Sequence, residues 1–301
     1  MNKLEGEKLK NTLLKLRINQ KKIKNTKEYY DEEEDLRIIK EYYRYINFDD
    51  ADPTNLYEQL NRLTTSTHEN QLPYNSETRD YLYSTIDLHM DGNLKSIYSG
   101  SHKDPEQTIK EDHETVQLRQ QEYEKLSSYK SEEDDLWIKS LAKIERDNMF
   151  NCEHVVPQSW FDEDNPMRGD LHHLFTCDKK CNSTRSNYPY VDFKDYTPDM
   201  DIETIKTQCG KYEKEKFEPE SGKGEVARAT LYFLIRYPGI INQYNDLDIE
   251  TLLNWHQKFE VSKHEKHRNK EIFHIQKNRN PLIDFPEYAD RINFKLSKDS
   301  N

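Results

Sequence analysis

Apolar residues in this 301-residue chain recur at helical spacing and never gather into a long run. That pattern calls for many amphipathic helices around a shared core, because positions three and four apart fall on one helix face. Residues 225–237 (EVARATLYFLIRY) carry it most strongly and stop at Pro238-Gly239. Leu9, Leu13 and Leu16, then Leu36, Ile39 and Tyr43, give residues 1–50 a charged helical reading. Leu56, Leu60 and Leu63 do the same for 55–65, after Asp52-Pro53 opens a new segment. Two further helices are expected over 248–259 and 262–278, the second closed by Asn280-Pro281. Only 8 glycines and 11 prolines interrupt the chain, which disfavours a turn-rich β-sandwich. No apolar stretch approaches the roughly 20 residues of a spanning helix, so no membrane partner is expected. An aromatic content of 11% argues against a disordered chain.

Strand signals are few. Residues 81–98 alternate around Asp91-Gly92, a pattern that reads as a β-hairpin because glycine supplies the positive φ of the turn. From 101 to 146 the composition is almost wholly charged and polar, and reads as a surface insertion with helices around 115–125 and 132–146. One domain over 51–292 is expected, with a helical extension over 1–50 and a short tail, 293–301. The acidic run DEEED (31–35) reads as a solvated helix start or linker.

The chain has 45 basic and 57 acidic residues, a net charge of −12, which repels nucleic acid. Such a partner would have to be held by a local basic surface or by a bound metal. Residues 260–280 are the candidate surface, with Lys266, Arg268, Lys277 and Arg279 as DNA contacts. The competing reading is a solvated helix with internal ion pairs, in which the 278–281 block braces the fold. The N-terminus never reaches the apolar stretch of a secretory signal, and four cysteines make no disulfide scaffold, so a cytoplasmic protein with free thiols is expected. Cys152, Cys177, Cys181 and Cys209 lack the paired spacing of a zinc knuckle, which makes structural Zn²⁺ unlikely on sequence grounds, and a Cys152–Cys177 bridge is the weighed alternative to free thiols.

The chemistry concentrates in NCEHVVPQSWF (151–161) and GDLHHLFTCDKKCNSTRSNYPY (169–190). The first reads as a strand over 150–156 ended by Pro157, the second as a strand over 171–176 followed by a short helix from Asn182 to before Pro189. Glu153 and Asn182 offer hard oxygen ligands suited to Mg²⁺, and a neutral His154 beside them can take a proton from water. A metal clamp beside a general base is the machinery for attack of water on a phosphodiester. Neighbours on a regular strand point to opposite faces, so a bulge or strand end must re-aim Glu153 or His154. Taken singly, His154 reads as a satisfied core histidine and Asn182 as a helix N-cap. Asp170 and His172, two apart on the expected strand, share a face and are expected to orient the site by hydrogen bonding. His173, Trp160 and Phe161 read as structural.

These residues resemble the endonuclease I family of the ββα-metal, or His-Me finger, nucleases. The blocks are EHVVPQSWF (153–161), DLHHLF…NSTRSNYP (170–189), GEVARA (224–229), LLNWH (252–256) and IQKNRNPLIDFPE (275–287), with YNSETRDYLYSTIDLHMDGNLKSIYSG before them. The resemblance spans 51–292, interrupted by 101–146. It implies an α+β fold, with a ββα-metal nuclease core and an added β-hairpin surrounded by helices. It also implies a largely sequence-nonspecific, Mg²⁺-dependent endonuclease, with Mn²⁺ as substitute, cutting DNA and also RNA to 5′-phosphate ends. Carried over, His154 is the general base, Glu153 and Asn182 hold the metal, and Arg168 or Arg185 contacts the phosphate. A sequence-specific enzyme on the same core and a catalytically silent nucleic-acid-binding protein are the alternatives. The resemblance suggests secretion, against the cytoplasmic expectation; a cytoplasmic nuclease would need an inhibitor or regulatory partner.

Overall fold

The computed structural model describes residues 3–127, 135–196 and 208–298. The start of the helix expected at 132 and the last residues of the tail lie outside the described residues. The helices α1 (Lys3–Lys22), α2 (Thr26–Tyr29) and α3 (Glu32–Tyr42) come first, then α4 (Pro53–Ser66) and α5 (Ser76–Tyr81). The strands β1 (Leu94–Lys95) and β2 (His102–Lys103) pair antiparallel before α6 (Pro105–Ser127) and α7 (Asp135–Asp147). Strands β3 (Cys152–His154) and β4 (Leu174–Thr176) form a second antiparallel pair, followed by α8 (Lys179–Arg185). A third pair, β5 (Gly210–Glu213) with β6 (Lys216–Pro219), precedes α9 (Lys223–Arg236), α10 (Asp246–Lys258), α11 (Lys263–Gln276) and α12 (Pro281–Asp284). Many helices with three two-stranded sheets make an α+β protein.

Side-chain caps explain where several helices begin. Asp52 accepts from the Thr54 amide ahead of Pro53 at the first turn of α4, and Asn245 and Ser262 open α10 and α11 with reciprocal capping boxes. The apolar α9 is buried along its length except at Glu225, and packs in one cluster with Leu56 and Leu60 of α4 and Leu252 and Trp255 of α10. A second cluster gathers Leu16, Tyr29, Leu82, Ile86 and Ile272. The β3–β4 ribbon lies between the two: Cys152 and Leu174 belong to the second cluster, Val155 and Phe175 to the first. Apolar packing on both faces of this ribbon fixes its register.

Three local expectations are corrected. The alternating stretch at 81–86 is no strand: α5 runs directly into a π-helical turn, Leu82–Ile86, of which Leu82, Tyr83, Ser84 and Ile86 are buried. The hairpin instead joins β1 to β2 beyond Asp91-Gly92, although Gly92 does hold φ +83°. The polar stretch 101–146 is not all surface. The first half of α6 buries Ile109, Asp112 and His113, with Asp112 accepting from Arg79 Nε and Tyr83 Oη at 3.1 and 2.7 Å.

Candidate active site

A cavity of about 450 Å³ opens beside β3 and is lined by Glu153, His154, Arg168, Asn182, Arg185 and Tyr74 among others. Glu153 and His154, adjacent in sequence, thus border the same space. They sit at the last two positions of β3, opposite Phe175 and Leu174, where the strand ends before Pro157.

Glu153 is 2% exposed. Its Oε1 accepts from Tyr98 Oη at 2.7 Å and from Arg185 Nη1 at 3.1 Å, which leaves Oε2 as the oxygen with lone pairs to offer. Burial pushes the carboxyl up to about 7 against the pull of the guanidinium, so a further cation at Oε2 would be needed to hold it firmly ionised. Tyr98 was not singled out in the sequence; it closes the YNSETRDYLYSTIDLHMDGNLKSIYSG block, which was its available signal.

The His154 ring packs edge-on against Tyr74 and His173, at 4.5 and 5.5 Å between centroids. Its Nε2–H donates to the Arg168 carbonyl at 2.9 Å, which places the proton on Nε2 and leaves the Nδ1 lone pair free to accept. Burial and the neighbouring His173 hold its pKa well below the usual imidazole value, so the ring is neutral at pH 7. The carbonyl it grips belongs to the turn Met167–Gly169, whose Met167 carbonyl accepts from His173 Nε2 at 2.6 Å. One turn therefore anchors both imidazoles.

Asn182 lies one turn into α8, because the helix begins at Lys179 with Asp178 in the cap position; it is not the N-cap expected from sequence. Its Nδ2 donates to the Cys152 carbonyl at 2.9 Å, which fixes the amide and leaves Oδ1 as its acceptor. A carboxylate oxygen and an amide oxygen are a donor set that suits a Mg²⁺ keeping several waters. Among the described residues, no group of three or more His, Cys, Asp or Glu side chains is placed to hold a metal ion.

The two candidate arginines separate. Arg185 is fully buried, bound to Glu153 and to the His154 and Val155 carbonyls at 3.2 and 2.6 Å, and so braces β3. Arg168 reaches Gln158 Oε1 at 2.7 Å and Glu163 at 2.7 Å, with its side chain about a third exposed at the cavity.

Asp170 and His172 do not share a strand face. Residues Leu171–His173 form a 3₁₀ turn, with Asp170 as its cap accepting from the His172 amide at 3.1 Å. Asp170 also accepts from Tyr232, Tyr237 and Gln276, each at 2.9 Å, and its pKa is held low. It locks the chain immediately after the His154-anchoring turn.

The expected DNA contacts are corrected in part. Arg268 is buried in an ion pair with Asp87 and donates to the Leu174 carbonyl, and Arg279 is buried between Asp35 and Asp284 at 2.9 and 2.7 Å. Neither guanidinium has a face for DNA. Lys266 is half-buried near Glu32, and Lys277 ends α11 with φ +74°, donating to the His274 carbonyl. The thiol expectation changes too: Cys181 and Cys209 form a disulfide, while Cys152 and Cys177 are free and buried.

The model of the family Endonuclease I matches residues 55–287. An extracellular ribonuclease of Bacillus subtilis (strain 168) is 33% identical over 48% of this chain and 54% of its own length. An extracellular deoxyribonuclease of Aeromonas hydrophila is 30% identical over 47% of this chain and 69% of its own, and a periplasmic deoxyribonuclease of the same organism is 27% identical over 44% and 62%. The chain spans about half the length of the Bacillus ribonucleases it matches. These relatives work outside the cytoplasm, which overturns the cytoplasmic expectation, and the Cys181–Cys209 bridge belongs in an oxidising compartment as well.

Proposed function

The chain belongs to the endonuclease I family, and from that premise we propose that it is a secreted, Mg²⁺-dependent endonuclease that hydrolyses DNA, and RNA as well, with little sequence preference and leaves 5′-phosphate ends. The β3–β4–α8 unit is then its ββα-metal core. The observation that carries the reading is the convergence on one cavity of Glu153, Asn182 and a His154 whose proton is pinned on Nε2. Relatives named both ribonuclease and deoxyribonuclease support a site that reads the phosphodiester more than the sugar.

His154 Nδ1 takes a proton from water, and the water oxygen attacks phosphorus as the 3′-oxygen leaves. Nε2–H stays on the Arg168 carbonyl throughout, so the ring keeps its aim. Glu153 and Asn182 would hold the metal, which supplies Lewis-acid stabilisation of charge on the phosphoryl and departing oxygens. Tyr98 and Arg185 keep the Glu153 carboxylate turned toward the cavity. Arg168 binds a non-bridging phosphate oxygen, and Gln158 steers its guanidinium. Most of the affinity comes from phosphates, so binding falls steeply with salt.

The test is cleavage of supercoiled DNA, linear DNA and RNA with Mg²⁺, with Mn²⁺ and with excess EDTA. Loss of cutting in EDTA with recovery on added Mg²⁺ is the expected result. Activity that persists in EDTA removes the metal, and discrete bands from unrelated plasmids remove the nonspecific reading.

A further inference from the structure

Five buried arginines are matched to carboxylates, Arg79 with Asp112, Arg185 with Glu153, Arg228 with Glu265, Arg268 with Asp87 and Arg279 with Asp35, whereas buried Arg236 donates to the Thr65 hydroxyl at 3.0 Å. In a chain of net charge −12 such partners are plentiful. Arg119 of α6 departs from this. It is half-buried, and its hydrogen bonds among the described residues go to carbonyls, from Nε to Asn148 at 2.7 Å and from Nη2 to Glu145 at 3.0 Å. The carbonyls orient the guanidinium, and the Glu145 carboxylate, which accepts from Tyr123, acts on it as well without a direct hydrogen bond among those described. The guanidinium lies over the Phe150 ring at 4.3 Å, and Arg79 covers Phe150 as well at 3.5 Å, so the arginine is held as a flat cationic plate.

That plate stands where two depressions meet. The catalytic cavity includes Arg119 and Phe150 in its lining, and so does a neighbouring hollow of about 380 Å³ whose other walls include Val116, Gln120 and Tyr123. Tyr123 is four residues beyond Arg119 and on the same face of α6. Its ring is partly exposed, with the hydroxyl donating to Glu145 at 3.2 Å.

We infer that Arg119 and Tyr123 form a subsite for the nucleotide next to the scissile phosphate, in which the guanidinium meets a flanking phosphodiester and an unpaired base stacks on the tyrosine ring. The inference rests on the nuclease reading of the adjoining cavity and narrows its substrate. A base reaches Tyr123 only by leaving a duplex stack, so the hollow selects single-stranded nucleic acid, DNA or RNA alike. Arginine and aromatic faces are the groups that bind unpaired bases without reading sequence.

The test is fluorescence anisotropy with a labelled short oligothymidylate, the matching oligouridylate and a DNA duplex of equal length, in EDTA so that nothing is cut. Tyr123→Ala is expected to weaken binding of both single strands by about tenfold, the loss of roughly one stacked base, and to leave duplex binding within about threefold. Arg119→Gln, which removes a phosphate contact, is expected to weaken single-strand binding by a similar factor. Tyr123→Phe should bind the single strands like the wild type, since the ring and not the hydroxyl makes the contact. Arg119 also ties down the Asn148 and Glu145 carbonyls, so if Arg119→Gln unfolds, the Tyr123 pair decides alone. Equal losses on single strand and duplex for Tyr123→Ala, unchanged single-strand binding in either variant, or a wild type that binds no single strand would each overturn the subsite. A wild type that binds single strands but cuts nothing with Mg²⁺ would instead leave the subsite standing and remove the nuclease reading.

Discussion

His154 gives its only ring proton to the backbone carbonyl of Arg168, 2.9 Å away. A main-chain acceptor cannot swing aside or titrate, so the lone pair of the neutral ring stays on Nδ1, and the depressed pKa keeps the ring neutral at pH 7. His154→Ala should therefore lower cleavage by about 10² or more, the usual contribution of a positioned base. Binding of nucleic acid in EDTA should survive, since phosphate contacts lie elsewhere. Steady-state cleavage and anisotropy on the same variant check this, and turnover near that of the wild type would remove His154 from the proton transfer.

The same carbonyl depends on a glycine. A Cβ at Gly169 would lie 1.7 Å from the Leu72 carbonyl oxygen, backbone against backbone, so the turn can close only where there is no side chain. Gly169→Ala must push the Met167–Gly169 turn away from Leu72 and carry the Arg168 carbonyl with it. We expect about 1–3 kcal/mol of destabilisation in urea unfolding together with a fall in kcat larger than any rise in KM. A destabilised variant with unchanged kcat would show that the turn does not aim His154.

The elements that were legible in the sequence are those whose burial is one-sided or complete over a helical period. Leu56 and Leu60 of α4 and residues 226–237 are buried. Glu153, His154 and Asn182 were legible as a set because their donor chemistry is coherent, and the cavity does bring them together. Residues 82–86 were not legible: Leu82, Tyr83, Ser84 and Ile86 are all enclosed, so alternation in the sequence carries no information about period there. Arg268 and Arg279 were misread because counting charges on a helix cannot see partners such as Asp87 and Asp35, which arrive from elements far away in the chain. The Cys181–Cys209 pairing likewise needed the approach of α8 to the start of β5, which no cysteine spacing encodes.

That bridge sits one residue from Asn182. Cys181 and Cys209 are 28 apart in sequence, and closing a loop of that length is worth about 3.5 kcal/mol in the chain-entropy account. Reduction, or Cys181→Ser with Cys209→Ser, should lower stability by an amount of that order and free α8 to drift from β3. The concentration of Mg²⁺ giving half-maximal cleavage should then rise, because the Asn182 amide is set by its bond to the Cys152 carbonyl. Cys152 should resist alkylation in the folded protein, since burial pushes its thiol up to about 12. Titrating Mg²⁺ on oxidised and reduced protein tests the link; identical half-maximal concentrations would confine the bridge to a stabilising role.

Stability should also fall on mild acidification, and His172 gives the window. Its ring packs on Tyr232 at 4.4 Å between centroids and faces Asp170, His68 and Arg279; burial holds its pKa at about 4 despite the Asp170 carboxylate. In the unfolded chain the same imidazole takes its proton near about 6.5. Between those values the unfolded state binds more protons than the folded one, so this contribution is complete above about 6.5 and is lost as pH falls through about 4. Burial depresses His68 and His173 in the same direction, so they steepen the slope. His172→Asn should lower overall stability at pH 7 by loss of packing, yet flatten the pH dependence between about 4 and 6.5 by about one proton, or about 1.4 kcal/mol per pH unit. Urea unfolding across that range checks it, and a slope unchanged by the substitution would mean that His172 accepts its proton in the folded protein as readily as in the unfolded one.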